Sequence, residues 1–171
     1  MRRLFLPFCC VFLFAALALY AEQPAQNISA ATHPNLARAQ TDMNMAYQKI
    51  LDAQKANEND LGGHAEKAKE LLNQASEELK QAALAANKTP NDQDKPNVNR
   101  PEDAPEPNVS ASKHPNIAKA QAFIERAYQS VIAAQKANEY DMGGHAAKAK
   151  TLLEQAISEL KLAAQSAGDK K

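Results

Sequence analysis

Two short stretches of this chain gather side chains able to hold a metal ion. The first is Glu58-Asn59-Asp60-Leu61-Gly62-Gly63-His64, and the second is Glu139-Tyr140-Asp141-Met142-Gly143-Gly144-His145. Glu, Asp and His recur at the same positions beside a Gly-Gly pair. Two oxygen donors and one imidazole near a tight bend suit zinc, copper or nickel. If His64 and His145 each open a helix, its positive end disfavours imidazolium. A neutral ring nitrogen is then available for coordination. The candidate metal ligands are therefore Glu58, Asp60, His64, Glu139, Asp141 and His145. The competing reading is structural. Asp60 caps a helix, the glycines make the bend, and duplication copies every residue whether it is used or not.

No other constellation competes with these turns. There is no phosphate-cradling glycine loop, no His-Glu-x-x-His, no nucleophile elbow and no dinucleotide fingerprint. Carboxylates such as Asp52 stand near lysines such as Lys49 and Lys55, in the pattern of solvated ion pairs. The sequence thus points to a binding or structural protein and away from an enzyme. His33 and His114, each followed by proline, read as helix-capping or surface residues. Tyr47 and Tyr128 read as packing residues with their hydroxyls at the edge.

The elements that position the turns are written twice. Residues 33–87 match residues 114–168 at a constant offset of 81, with 33 of 55 positions identical. In the first copy Leu36, Ala39, Met43, Ala46, Ile50 and Ala53 recur at helical spacing, followed after the glycines by Ala65, Ala68, Leu72, Ala75, Leu79, Ala82 and Ala86. The second copy repeats the pattern. Pro34 and Pro115 suit a first helical turn, and each Gly-Gly pair supplies the positive φ that a helix end needs. Each copy is expected to be a hairpin of two helices about 35 Å long, zipped by alanine. A second strip (Tyr47, Leu51, Leu71 and Leu84, with Tyr128, Ile132 and Leu152 in the other copy) asks for further burial. The fold expected is all-α: two tandem antiparallel hairpins packing as a four-helix bundle, or pairing between chains. If the helices run up-down-up-down, both turns share one end and their ligands meet.

The turn and second helix of each copy, Gly63-His64-Ala65-Glu66-Lys67-Ala68-Lys69-Glu70-Leu71-Leu72 and Gly144-His145-Ala146-Ala147-Lys148-Ala149-Lys150-Thr151-Leu152-Leu153, resemble those of the small metal-binding protein-like periplasmic family. The resemblance implies short antiparallel helices and binding of copper, nickel or zinc. It also marks a departure. That family carries histidines along its helices, whereas here those positions hold Ala, Lys, Glu or Gln. Any metal capacity it implies is confined to His64 and His145.

Outside the copies the composition changes. Residues 1–21 have the layout of a signal peptide: Arg2 and Arg3, an apolar run from Leu4 to Leu19, and small Ala21 before polar Glu22. That implies a periplasmic or secreted protein with no membrane contact after cleavage; the competing reading is an uncleaved membrane anchor, for which the apolar run is short against the roughly 20 residues of a span. Cys9 and Cys10 both fall inside this segment, so no disulfide staples the remainder. Without Arg2 and Arg3 the chain carries 18 basic and 20 acidic residues, a near balance that argues against nucleic acid as partner. Residues 22–32 and the proline-rich 88–113 read as disordered, the latter as a mobile linker, and 169–171 as a tail. The leading functional expectation is a non-enzymatic module taking divalent metal at its turns. The alternative is a structural protein that pairs with itself or with another helical protein.

Overall fold

The computed structural model describes residues 22–57, 61–88, 105–138 and 142–168. These form helices α1 (Pro34–Asn57), α2 (His64–Lys88), α3 (Pro115–Asn138) and α4 (His145–Gly168). A single 3-10 turn, Leu61–Gly63 or Met142–Gly144, precedes the second helix of each copy. The protein is all-α, and its two hairpins pack as a four-helix bundle within one chain. Among the described residues no helix is long and apolar enough to cross a membrane.

Each hairpin begins on a small capping structure. The amide of His33 bonds the carbonyl of Ser29 at 2.9 Å, and the carbonyl of His33 accepts the first helical bond from Ala37 at 3.0 Å. His33 is thus the N-cap, with Pro34 at the position where a missing N–H costs nothing. His114 repeats this with Ser110 and Ala118. The ring of His33 meets the Asn87 side chain at 3.3 Å, tying the start of α1 to the end of α2.

The residues expected to form the core do form it. Leu36, Met43, Ile50, Leu72 and Leu79, with their counterparts Ile117, Ile124, Val131, Leu153 and Leu160, are buried together with the alanines between them. Of the second strip, Tyr47 and Tyr128 are buried, Leu51, Leu71, Ile132 and Leu152 are partly covered, and Leu84 is exposed; near it, Ile157 is buried and Leu162 exposed.

The partners of the alanine seam differ from the expectation. The most intimate helix pairs are α1 with α3 and α2 with α4, which join the two copies. The two helices of one hairpin stand further apart, and large side chains lie between them. Lys69 extends over the Tyr47 ring, 5.5 Å from its centre. Lys150 does the same over Tyr128 at 5.8 Å, and the Tyr128 hydroxyl donates to Glu154 at 3.0 Å. Small residues let backbones approach, and long ones hold them off. The alanines therefore mark the interface between copies.

Every neighbouring pair is antiparallel. The start of α1 lies beside Ala134 and Ala137 near the end of α3, and the start of α3 lies beside Ala53 and Ala56. In chain order the helices run up, down, down, up. The two turns therefore lie at opposite ends of the bundle, not at the same end. Lys88 and His114 also lie at opposite ends. The 25 residues between them thus join points a helix length apart, about 35 Å. Among these, residues 89–104 lie outside the described residues, as do 1–21 and 169–171 elsewhere.

The approach segments expected to be disordered are docked on the bundle. Gln40, fully buried, accepts from the amides of Asn27 and Ile28 at 3.0 and 3.1 Å, and donates to the Asn27 side chain at 3.0 Å and the Ser76 hydroxyl at 3.0 Å. The Ser76 hydroxyl bonds the carbonyl of Ala25 at 2.8 Å, and Asn73 donates to that of Glu22. In the second copy Gln121 accepts from Asn108 and Val109, both at 3.0 Å, and donates to Asn108 and to the carbonyl of Ile157, both at 3.1 Å. Each repeat is therefore a strap, a helix, a turn and a helix.

Candidate functional site

The turn is built around a hydrophobic plug. Leu61 and Met142 adopt φ of 54° and 52°, a left-handed conformation that disfavours side chains, yet both are buried. Burying such a side chain is worth about 2 kcal/mol, enough to offset a conformational cost of about 1–2 kcal/mol. Gly62 and Gly63 continue in the left-handed region, at φ 70° and 79°. Gly62 also passes close to α4: a Cβ there would lie 2.7 Å from the Ser166 hydroxyl.

His64 is the first residue of α2. Its Nδ1 lies 2.6 Å from Oε2 of Glu159, on α4 of the other repeat. His145 and Glu78 form the same pair at 2.6 Å at the other end. Both members of each pair are about three-quarters covered. Each turn histidine thus clips its own hairpin to the last helix of the opposite one. Beside the His145 clip lies a surface groove of about 580 Å³, lined by Gln74, Glu77, Glu78, Ala147, Lys148, Thr151 and Leu152. At the other end the positions equivalent to Ala147 and Thr151 hold Glu66 and Glu70.

The expected ligand cluster is therefore divided. His64 and His145 lie at opposite ends and cannot share an ion. Glu58, Asp60, Glu139 and Asp141 lie outside the described residues. Among the described residues no group of three or more His, Cys, Asp or Glu side chains is placed to hold a metal. The sequence reading missed Glu78 and Glu159, although the repeat carried the signal: the two glutamates are equivalent at the offset of 81, as the two histidines are.

Two buried charges were also missed. Lys69 and Lys150 are almost wholly covered and lie over the tyrosine rings. Burial lowers the Lys150 pKa, against an opposing pull from Glu154. Burial and the hydrogen bond to Glu154 push Tyr128 up to about 12. These groups clamp the inside of each hairpin through contact of a cation with an aromatic face. They are too covered to meet a substrate.

No family model, no curated protein and no solved structure matches this chain.

Proposed function

We propose that this chain is an exported, non-enzymatic helical module whose two repeats lock face to face, and that it acts structurally through its outer faces on a helical partner or a second copy. The observation that carries this reading is the symmetric pair of clips. Both turn histidines direct Nδ1 to a glutamate of the opposite repeat at 2.6 Å. The recurrence of His64 and His145 is thereby accounted for by architecture alone.

A second reading keeps a specific support. A carboxylate on one nitrogen of an imidazole is the arrangement that orients a metal-binding histidine and strengthens its other nitrogen as a ligand. Divalent zinc, copper or nickel would then bind separately at each end, through Nε2 of His64 and of His145, with Glu58 and Asp60 or Glu139 and Asp141 as further donors.

One experiment separates the two. The protein lacking residues 1–21 is melted with and without millimolar zinc, nickel or copper, as wild type and as His64→Ala with His145→Ala. The structural reading expects the substitutions to lower the melting temperature in the presence of a chelator, with metal adding nothing. The metal reading expects a rise on adding metal that the substitutions abolish. Light scattering across a concentration series then tests pairing with a second copy.

A further inference from the structure

The start of α1 meets the end of α3 and the start of α3 meets the end of α1, which relates the two repeats by an approximate twofold axis between the middles of these helices. The two clips are mates at the offset of 81: His64 with Glu159, and His145 with Glu78. Beside the axis the mates differ. Asp42 of α1 forms a 2.6 Å ion pair with Arg126 of α3. The equivalent of Asp42 is Phe123 and that of Arg126 is Met45. One crossing thus pairs a carboxylate with a guanidinium, whereas the equivalent positions carry a thioether and an aromatic ring.

The Asp42 carboxylate is 1% exposed, whereas the Arg126 side chain is 52% exposed. Among the described residues Oδ2 of Asp42 finds no hydrogen-bond partner. Arg126 also lies over the Phe123 ring, 5.1 Å from its centre. A buried ion pair contributes little net stability against an apolar pair of the same size, but leaving one of its charges unpaired is costly. Such pairs are best attested as devices that fix register and partner.

We infer that Asp42 and Arg126 make the α1–α3 face a surface that favours the opposite repeat over a second copy of the same repeat, most strongly for repeat 1. Pairing repeat 1 with another repeat 1 places Asp42 against Met45 at both crossings and deprives two buried carboxylates of their ion-pair partner, leaving each only the weaker field of Arg38 on its own helix. Pairing repeat 2 with another repeat 2 sets Phe123 against Arg126 twice, which strands no buried carboxylate and is the milder mismatch. The partner this face fits is a repeat 2, whether from the same chain or from a second copy. A second copy then enters most favourably in reciprocal fashion, each repeat 1 on the other chain's repeat 2. Stacking of repeat 1 on repeat 1, which would leave the other repeat of each chain open for further addition, is disfavoured.

The test places each mismatch inside the full chain. Phe123→Asp with Arg126→Met reproduces the repeat 1 pair with itself, and Asp42→Phe with Met45→Arg reproduces the repeat 2 pair. All four changes together transpose the axial residues and restore the opposite-repeat combination. The first set is expected to lower the melting temperature by roughly 10 °C or more, and the second set by less. The fourfold variant is expected to melt within a few degrees of wild type, although it carries both changes of the first set. A first set that melts with wild type, a second set that falls further than the first, or a fourfold variant as unstable as the first set would each overturn the inference.

Discussion

His64 and Glu159 stand 95 positions apart in the chain and 2.6 Å apart in space. The contact joins the turn of one repeat to the last helix of the other, and His145 with Glu78 mirrors it. A short, partly covered bond between imidazole and carboxylate at each end resists separation of the hairpins at the points where helices fray.

Removing either clip should therefore lower stability by about 1 kcal/mol, which in a chain of this size is a fall of roughly 3 °C. Glu159→Gln and Glu78→Gln should give similar losses. Because the clips lie at opposite ends, the losses should add when combined. Thermal melts of both single variants and the double check this. Losses that fail to add would mean that the two ends are coupled.

The glycines of the two turns should differ in tolerance. Gly62→Ala meets both a positive φ and the Ser166 hydroxyl at 2.7 Å. Gly143→Ala meets a positive φ and the His145 ring at 3.3 Å, much as Gly62→Ala meets the His64 ring at 3.2 Å, but on the opposite repeat it meets only the Ala85 methyl, at 3.5 Å. The first should cost about 2 kcal/mol or more and the second about 1 kcal/mol. Ser166→Ala in the Gly62→Ala background should recover part of the difference. Denaturant unfolding measures each value.

The strap hangs on one buried amide. Gln40→Leu keeps the volume and removes the group that receives the Asn27 and Ile28 amides. Hydrogen exchange should then show these two amides losing protection while the centre of α1 retains it. The loss in global stability should be about 1–3 kcal/mol, because buried groups on the strap and on Ser76 lose a partner. Unchanged protection at Asn27 and Ile28 would show that the strap is held by other contacts.

Alkaline titration should single out Tyr128. Burial, with its hydrogen bond to Glu154, raises its pKa from 10.0 to about 12 in the folded protein. The stability this group contributes is complete below pH 10 and is lost as pH rises through about 12, because the unfolded chain releases the proton first. Tyrosinate absorbance should show a group ionising only near pH 12, absent in Tyr128→Phe. If Tyr128→Phe instead removed absorbance that appears near pH 10, this environment would be refuted.

The candidate site was only half legible. His64 and His145 were visible from their repetition beside Gly-Gly, but their acidic partners were sought in neighbouring residues. The partners that the structure gives them come from the opposite repeat, and only the direction of pairing reveals them. Gln40 and Gln121 have no place in the apolar pattern that marks the core. A signal existed, since Asn27-Ile28-Ser29 and Asn108-Val109-Ser110 extend the repeat at the same offset. Prolines and polar residues nearby gave these segments the composition of a loop, and composition does not show a strap held by one buried side chain.

The order of residues by itself set the four helices, their ends and their buried faces, because periodicity, proline and glycine act locally along the chain. Which face meets which was decided only in three dimensions. An alanine seam permits close approach to any complementary helix. The choice fell to the long side chains wedged inside each hairpin, Tyr47 with Lys69 and Tyr128 with Lys150, which leave the opposite repeat as the surface that can come close. That choice sends the second repeat antiparallel to the first and places the two histidine turns a bundle length apart.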